Sequence, residues 1–322
     1  MALIENSKLY SGNDLENLFF RPLVAENGVQ EQGIRVLYNM PTPTTIHLWS
    51  SANNVLKRYQ AGWQGGAAAI KQYKTLDLGA VKAESAFSAS DYYSMVYEHI
   101  TTRADVNLQD LTGTDLEMAE TEIFKKAIAD SLRITTWIGN TNATNGYDTF
   151  DGILYKAYAS YEEEGRDMIT FSDGVSASNV AEALSAVWNG ASEVLKSLKK
   201  DGELAFFVTS DFYRAYEEYV YQMAVENNAQ NCTEGYTTLY YRGIPLVDIG
   251  ISAEMLEGNL LNTNQCLLTD RRNLILVLNT SDYPNAEVRM WYNPDQMENR
   301  QRAVFLATAD FIDSQLISLG HE

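Results

Sequence analysis

One stretch of the chain has a clear helical period. Between residues 115 and 136 the apolar residues recur every three or four positions, as Leu116, Ala119, Ile123, Phe124, Ala127, Ile128 and Leu132. This spacing places them on one face of an α-helix. At its start, Thr114 and Glu117 have the S/T-x-x-E form of a capping box, in which both side chains bind free backbone amides. The pattern predicts an amphipathic helix about 30 Å long.

Residues 44–87 contain two extended segments around a glycine pair, Gly65-Gly66. Such an arrangement predicts a long β-hairpin, although the stretch SSANNVLKRY also fits a helix. The alternation of apolar and polar residues changes parity near Gly79, where a β-bulge would shift the inward face. Apolar side chains are sparse along both arms. The hairpin is therefore predicted to lie on a neighbour, with Trp63 as its anchor.

Residues 1–43 follow neither period, apart from a short helical pattern near residues 14–20. They contain scattered helix breakers and end in MPTPTT, whose two prolines block both a helix and a central strand. The segment cannot form a core alone, so it is predicted to be an arm that packs on something else.

The stretch from residue 150 onward predicts a compact mixture of helices and strands. An apolar stripe from Val180 to Leu198 follows Ser178 and ends at Gly202, which predicts one capped helix. ELAFFV predicts a strand, and the helical pattern after it is capped by Thr209 or Ser210. Further strands are predicted in TTLYYRGIPLVDI and NQCLLTDRRNLILVLN, and a hairpin joins AEVRMWYN to QRAVFLATADF. The pattern indicates an α+β fold.

The net charge of the chain argues against one class of function. The 322 residues include 43 acidic and 24 basic ones, a formal net charge of −19. Nucleic-acid affinity comes largely from Lys and Arg that neutralise phosphates, so this charge argues against a DNA-binding protein. It suits a soluble protein, including one that encloses a polyanion without adhering to it. The sequence has no run of about 18 apolar residues that would cross a membrane, and its first residues lack the features of an export signal.

The polar stretch IGNTNATNG, residues 138–146, has a glycine near each end and follows the predicted long helix. A phosphate-binding loop would require Gly-Lys-Ser/Thr leading into a helix, or a strand before a glycine-rich turn. Here the helix precedes the loop. Because Gly139 and Asn140 both tolerate the left-handed conformation that ends helices, the loop is interpreted as a joint between two parts of the fold.

The remaining candidates predict no catalytic, cofactor-binding or metal site. The three histidines are too far apart for metal-ligand spacing: His47, His99 and His321. Cys232 and Cys266 form no disulfide framework, and Cys232 has no histidine near it in sequence. The acidic runs at residues 162–164 and 217–218 are interpreted as solvated faces, and residues 270–272 (Asp-Arg-Arg) as a salt bridge at the start of a strand. Three Asn-x-Ser/Thr sites carry little weight without an export signal: Asn142, Asn231 and Asn279.

Several segments occur in a distinctive order. DLEMAETEIFKKAIADSLRITTWIGN leads through the glycine loop to DGILYKAY, and LAFFVTSDFYRAY follows. YYRGIPLVDI, CLLTDRRNLILVLN and VRMWYNPDQMENRQRAVFLATADF come last. This order resembles the major capsid protein of tailed bacteriophages, the Hong Kong 97-type capsid fold that encapsulin shells share.

The resemblance implies an α+β fold in four parts. These are an N-terminal arm (residues 1–43), an extended β-hairpin loop (44–87), a peripheral domain with a long spine helix (88–140 and 284–310), and an axial domain (141–283 and 311–322). No charged helical segment precedes the arm, so no built-in scaffolding segment is predicted. Some relatives join their subunits through a Lys–Asn isopeptide bond. Lys71 and Lys74 lie in the hairpin, but nothing marks a partner Asn or a catalytic Glu, so that chemistry is not predicted.

The function that the resemblance implies is structural rather than enzymatic. The chain would self-assemble, as hexamers and pentamers, into the icosahedral head of a tailed phage. It would enclose the DNA genome without binding it specifically, and it would need no cofactor or membrane. Portal proteins and separate scaffolding or decoration proteins are further expected partners. The implied location is the virion, with assembly in the cytoplasm of the host bacterium.

Two other functions remain open at this stage. An encapsulin-like compartment would have the same fold and would hold an enzyme as cargo, so packaged DNA or neighbouring terminase and portal genes would separate it from a phage head. An acidic soluble hydrolase that uses a carboxylate pair would be a monomer or small oligomer with a pocket. The hydrolase would leave the arm and the hairpin without a role.

Overall fold

The computed structural model describes residues 8–10, 21, 29–41, 43–50, 58, 60, 70–88, 115–143, 146–226, 239–252, 255, 264–281 and 287–322. The helices are α1 (Asp115–Ile138), α2 (Ile153–Glu164), α3 (Val180–Gly190), α4 (Glu193–Ser197) and α5 (Ser210–Glu226). The strands are β1 (Lys8–Tyr10), β2 (Arg35–Tyr38), β3 (Thr44–Ser50), β4 (Ile70–Leu76), β5 (Gly79–Ser88), β6 (Ile169–Thr170), β7 (Leu204–Val208), β8 (Tyr240–Tyr241), β9 (Ile244–Asp248), β10 (Gln265–Asp270), β11 (Leu274–Asn279), β12 (Glu287–Asn293), β13 (Glu298–Phe311) and β14 (Ile317–His321).

The predicted long helix is confirmed as α1, which runs two residues beyond the predicted end. Within the predicted apolar stripe Phe124 and Leu132 are buried in the core, and Trp137 near the end of the helix is fully buried. Ile123, which we predicted on the same face, is instead 61% exposed. The helix ends at Ile138, where the Gly139 amide still donates to the Thr135 carbonyl over 2.9 Å. The predicted capping residue at position 114 lies outside the described residues.

The first of two six-stranded sheets packs against α1. Its strand order is β1-β12-β13-β11-β2, and β5 pairs with β13 as well. The predicted terminal hairpin is confirmed as β12 and β13, in register from Glu287 opposite Val304 to Asn293 opposite Glu298. Buried and part-exposed residues alternate in the first half of β13, whereas every residue from Phe305 to Phe311 is buried. The second half of this strand is therefore covered on both faces.

The extended hairpin is confirmed only in its first part. β3 and β4 pair antiparallel, from Thr44 opposite Leu76 to Ser50 opposite Ile70, and the predicted Gly-Gly turn lies outside the described residues. Residues 79–87, predicted as a continuation of the second arm, instead form β5 and pair antiparallel with β13. The parity change at Gly79 thus marks a transfer between sheets rather than a bulge, and it turns Val81 and Ala83 towards the main core.

The described parts of the N-terminal arm complete the edges of the first sheet. β1 pairs antiparallel with β12, and β2 pairs parallel with β11. Val29 and Ile34 are buried in the main core. The arm therefore packs on the sheet, as expected of a segment without a core of its own. The helical pattern at residues 14–20 lies outside the described residues.

The second sheet has the strand order β6-β14-β10-β7-β9-β8, and the predicted strands at β7, β9 and β10 are confirmed. The single helix predicted over residues 180–198 is wrong. Ala191 has an extended backbone, with φ −63° and ψ 147°, and it separates α3 from α4. The Ser192 hydroxyl then caps α4 by accepting from the Leu195 amide over 3.1 Å. Gly202 ends this region in the left-handed conformation, φ 77°, as its position predicted.

The two sheets share one core. β10 belongs to the second sheet and β11 to the first, and only the short 3₁₀ turn Arg271–Asn273 separates them. Residues 274–279, which we expected in the 141–283 unit, therefore pair with β13. Phe207 and Leu267 join α1, α2 and the first sheet in one apolar cluster. The opposite face of the second sheet, including Phe206, packs on α3 and α5.

Candidate functional site

The glycine loop after α1 holds its backbone donors internally. The Asn140 amide donates to the Tyr147 carbonyl over 3.1 Å, and both the amide and the hydroxyl of Thr141 donate to Asp151 over 2.9 Å. The Asn142 amide donates to the Asn140 side chain over 2.9 Å. A carboxylate and carbonyls thus occupy the donors that a phosphate would require. This geometry agrees with a joint, which was the prediction.

The reason for glycine in that joint differs from the expected one. Neither Gly139 nor Asn140 has a positive φ, whereas Gly146 does, at 92°. A Cβ atom at Gly139 would lie 2.2 Å from the Phe150 carbonyl oxygen, and the Gly139 carbonyl accepts from the Gly152 amide over 2.8 Å. Gly139 is therefore required by the close approach of two backbone segments, and not by a left-handed turn.

The titratable candidates lie apart in the described structure. His47 is exposed on β3 and His321 is half-buried on β14, while His99 and Cys232 lie outside the described residues. Cys266 is fully buried in β10, and that burial raises the pKa of its thiol. The described residues contain no group of three or more His, Cys, Asp or Glu side chains that could hold a metal ion.

The acidic runs and the Asp-Arg pair have the structural positions that we predicted. Residues 162–164 and 217–218 are exposed on α2 and α5. The Asp270 carboxylate accepts from the Arg272 amide over 2.8 Å and from its guanidinium over 2.6 Å. Burial opposes ionisation of Asp270, but the bonds from Arg272 outweigh it and lower the pKa of this carboxyl. Of the three Asn-x-Ser/Thr sites, Asn142 is exposed, Asn279 is fully buried and Asn231 lies outside the described residues.

An ionic cluster fixes the root of the β3–β4 hairpin. The Lys74 ammonium of β4 donates to Asp310 of β13 over 2.5 Å, and it also donates to the Phe311 carbonyl over 2.6 Å. Lys156 of α2 donates to the other Asp310 oxygen over 3.3 Å and to the Ala309 carbonyl over 2.7 Å. Asp310 is 5% exposed. One buried carboxylate thus joins the hairpin, the first sheet and α2.

Opposing effects act on the Lys74 ammonium at the hairpin root. Burial lowers the pKa of Lys74, Asp310 acts in the opposite direction, and Lys156 adds to the lowering. The Lys74 ammonium also lies 3.8 Å from the centroid of the Phe311 ring. A buried ion pair is favourable only when further hydrogen bonds satisfy its atoms, and here the Phe311 amide supplies one to Asp310 over 2.7 Å. These bonds tie the root of the hairpin to the end of β13.

A cleft of about 510 Å³ lies beside this root, between α2 and the segment after β13. The acidic side chains of Glu163, Glu164 and Asp313 line it together with Lys74 and Lys156. Sequence reasoning noted Lys74 only as a lysine of the hairpin and missed Asp310 and Lys156. The available signal was one acid, Asp310, inside the otherwise apolar end of a predicted strand, because a buried acid requires a cationic partner.

Among the described residues, no helix combines the length and the apolar composition that crossing a lipid bilayer requires.

Sequence comparisons identify no relative, since no protein-family model and no curated protein matches the chain. Solved structures do match. A chain of the satellite phage P4 procapsid with its size determination (Sid) protein has a TM-score of 0.53 at 11% identity, and the match covers 92% of this chain and 97% of that one. The capsid of the native GTA particle has a TM-score of 0.52 at 12% identity, and the match covers 91% of this chain and 89% of that one. The capsid of Myoviridae phage XM1 has a TM-score of 0.50 at 11% identity, and the match covers 91% of this chain and 90% of that one.

Each of these matches covers more than nine-tenths of the chain. An identity of 11% or 12% over such a length indicates a shared fold and no more. The chain has the Hong Kong 97-type capsid fold, as its sequence led us to expect.

Proposed function

We propose that this chain is the major capsid protein of a tailed bacteriophage, which self-assembles into an icosahedral head around a DNA genome. The observation that carries the proposal is the β3–β4 hairpin. In the described part of the chain these strands form a two-stranded sheet with no third strand, and Tyr73 on β4 is 75% exposed. A lone hairpin is marginal in water. A second copy of the chain would cover it and make the shell continuous.

The proposed mechanism is geometric and needs no catalytic residue, cofactor or metal. The Lys74–Asp310 cluster sets the angle at which the hairpin leaves its subunit, and the hairpin then bridges to another copy. Hexamers and pentamers of the chain would form the shell, with a portal and scaffolding or decoration proteins as accessory partners. We place the assembled protein in the virion and its assembly in the bacterial cytoplasm.

We further propose the division into an arm (1–43), a hairpin, and peripheral and axial domains, with two changes from the sequence-based limits. β5 and β11 belong with the peripheral part, because both pair with β13. The hairpin is then confined to residues 44–76, which β3 and β4 enclose.

Electron microscopy of the purified chain tests the function. Closed shells are expected, and a monomer or small oligomer with hydrolase activity would contradict the proposal. Particles from producing cells should contain nuclease-protected double-stranded DNA. Particles that contain an enzyme and no DNA would identify an encapsulin-like compartment instead.

A shortened variant tests the role of the hairpin. Ser50 and Ile70 lie opposite each other at the end of the described ladder, so replacing residues 51–69 with Asn-Gly closes the strands with a two-residue turn. The variant should fold, with an unchanged circular dichroism spectrum in the helical region, but should form no shells. Normal shells from this variant would show that the hairpin does not join subunits. Loss of folding would place the segment in the core.

A further inference from the structure

In the described part of the chain, strand β5 has one edge without a neighbouring strand. Its ten residues, Gly79–Ser88, pair antiparallel with β13 in an unbroken register, and no described strand pairs along the other edge. Alternate backbone amides and carbonyls of such an edge point outward, so it can add another strand. Proteins block exposed edges with proline, a β-bulge or an unpaired charge, and β5 contains neither proline nor bulge.

The side chains of β5 leave room for a second strand and carry no net charge. Ala80 and Ala86 are exposed and small. The ionised residues of β5 are Lys82 and Glu84, which lie two positions apart and therefore on the same face. Their ion pair, 2.9 Å long, leaves the two side chains 59% and 54% exposed. The edge therefore presents one cation and one anion, both accessible to a partner.

A groove of about 540 Å³ lies between β5 and α1. Val81 and Ala83 line it from β5, and Ile123 and Ala127 line it from α1. Ile123 is 61% exposed, so apolar surface borders the open edge. An added strand would find both backbone hydrogen bonds and apolar contacts there.

We infer that β5 pairs antiparallel with β5 of a second copy of the chain, across a two-fold axis at Ala83. In this register Lys82 lies opposite Glu84 of the second copy, and Glu84 lies opposite its Lys82. Ala80 likewise lies opposite Ala86. Opposite charges directly across an antiparallel pair stabilise it, and the small alanines permit close approach. Such a contact uses the same patch on both copies.

The sequence of β5 favours its own copy over an unrelated strand. Its charges are complementary to themselves in the antiparallel direction, whereas a parallel copy in register would place Lys82 opposite Lys82. The two-fold rotation leaves both α1 helices on the same side of the joined sheet, so both exposed Ile123 side chains border one joint. The inference goes beyond the proposed function: neighbours within a ring of five or six are not related by a two-fold axis, so this contact would join one ring to the next.

Cysteine cross-linking in the full chain tests the register. Cys232→Ser first leaves the buried Cys266 as the remaining native thiol. Ala83→Cys then places two thiols opposite each other across the axis, and mild oxidation should convert most chains to dimers on a non-reducing gel. Ala86→Cys is the control, because Ala86 is exposed but would lie about 20 Å from its own copy. It should give about tenfold less dimer, whereas co-expressed Ala80→Cys and Ala86→Cys chains should cross-link to each other.

Two charge variants test whether the partner is a second copy. Lys82→Glu and Glu84→Lys, each combined with Ala83→Cys, place like charges across the axis in a dimer of identical chains, so each alone should cross-link about fivefold less. Co-expression of the two restores opposite charges across the axis, although the ion pair within each chain stays broken. The mixed chains should therefore cross-link as fully as Ala83→Cys alone.

Equal amounts of dimer from Ala83→Cys and Ala86→Cys would overturn the inference, and so would mixed charge variants that cross-link no better than either alone. Shells that form without cross-linking through Ala83→Cys would overturn it and leave the capsid function standing. Cross-linked dimers that never form shells would support the inference and overturn the capsid function.

Discussion

Single residues in this protein are constrained mainly by close backbone approach and by buried polar partners. At Gly139 two backbone segments meet with no room for a Cβ atom. At Tyr216 of α5 the hydroxyl donates to the Tyr240 carbonyl over 2.9 Å while the ring is buried. Tyr216 belongs to no recognisable sequence motif, and the glycine loop that contains Gly139 suggested a different reason for its glycine. Their roles follow from which distant segments the fold brings against them.

Gly139→Ala should destabilise the isolated subunit by about 3 kcal/mol, because the obstructing atoms are backbone carbonyls that cannot rotate away. Gly165→Ala is the matched control. Gly165 has φ 63° but no atom within 4 Å of an added Cβ, so its cost should be only the left-handed conformation, about 1 kcal/mol. Urea unfolding followed by tryptophan fluorescence measures both. Equal destabilisation by the two substitutions would show that the backbone around Gly139 moves to accommodate a Cβ atom, so that close approach does not require glycine there.

Tyr216 gives a prediction about alkaline pH. Burial, ahead of the effects of Tyr219 and Tyr241, raises the pKa of Tyr216 to about 12, whereas an unfolded tyrosine ionises near pH 10. The raised pKa means that the hydroxyl's contribution is complete below pH 10 and is lost as the pH rises towards 12. Tyr216→Phe should therefore cost about 1 kcal/mol at pH 8, from the lost hydrogen bond, and less at pH 11.

The free energy of unfolding in urea at the two pH values measures this change. Tyr221→Phe is the control, because Tyr221 lies on the same helix and is 56% exposed. Its free energy of unfolding should equal that of the native chain at both pH values. If the difference in free energy of unfolding between the native chain and Tyr216→Phe stays constant from pH 8 to pH 11, the assigned effect of burial on the Tyr216 pKa is wrong.

Elements with a strong local period were predictable from the sequence, whereas their partners were not. The helical period of α1 and the alternation in β12 and β13 depend on residues close in sequence, so the helix and the hairpin are confirmed. The apolar stripe of α1 is confirmed only in part, because Ile123 and Ala127 are exposed. The assignment of β5 to the hairpin was wrong because alternation shows which face is buried, but not which strand lies alongside. The break between α3 and α4 was missed for a similar reason. Its cause is the extended backbone at Ala191, which the continuous apolar stripe conceals.

The candidate site was less predictable than the fold. Lys74 and Asp310 are 236 positions apart in sequence, and no local pattern connects them. The interpretation of the glycine loop depended on the order of elements along the chain, because its helix precedes the loop whereas phosphate binding requires a helix after it. The ionic hairpin root forms where the fold brings β4 against the end of β13, and that meeting is a property of topology rather than of composition.

Asp310→Asn should loosen the hairpin root. The change leaves the partly buried Lys74 ammonium without its anion and should lower the free energy of unfolding by about 2–3 kcal/mol. Trypsin should then cleave the isolated subunit faster within the hairpin, where Arg58 and Lys71 are substrates. Glu163→Gln, at an exposed carboxylate beside the same cleft, is the control. Unchanged cleavage in Asp310→Asn would show that the ion pair does not anchor the hairpin.

At the scale of the whole molecule, the two six-stranded sheets and the five described helices surround a core to which both sheets contribute side chains. β10 and β11 cross from one sheet to the other, and β13 and β14 cross back. Separating the sheets would expose Phe207 and Leu267, which are buried in the shared cluster. We therefore expect the described core to unfold as one unit, so that expression of either domain alone gives no folded product.

The net charge of the whole subunit governs its behaviour towards DNA. With −19 on the chain, the isolated subunit should bind a 20-base-pair duplex more weakly than about 100 μM at physiological salt, because too few cations face the phosphates together. Fluorescence anisotropy of a labelled duplex measures this affinity. Micromolar binding with a steep salt dependence would contradict the charge argument and the proposed role of a shell that encloses DNA without adhering to it.

The parallel pairing of β2 with β11 bears on when the chain can complete its fold during synthesis. Arg35 lies opposite Ile275, so the ribosome synthesises about 240 residues after β2 before its partner exists. At about 5–20 residues per second this takes some 10–50 s. Asp310, which anchors the hairpin, is synthesised later still. A nascent chain therefore has no fixed hairpin root until translation has passed β13, and under the proposed capsid function it could not join a shell before then.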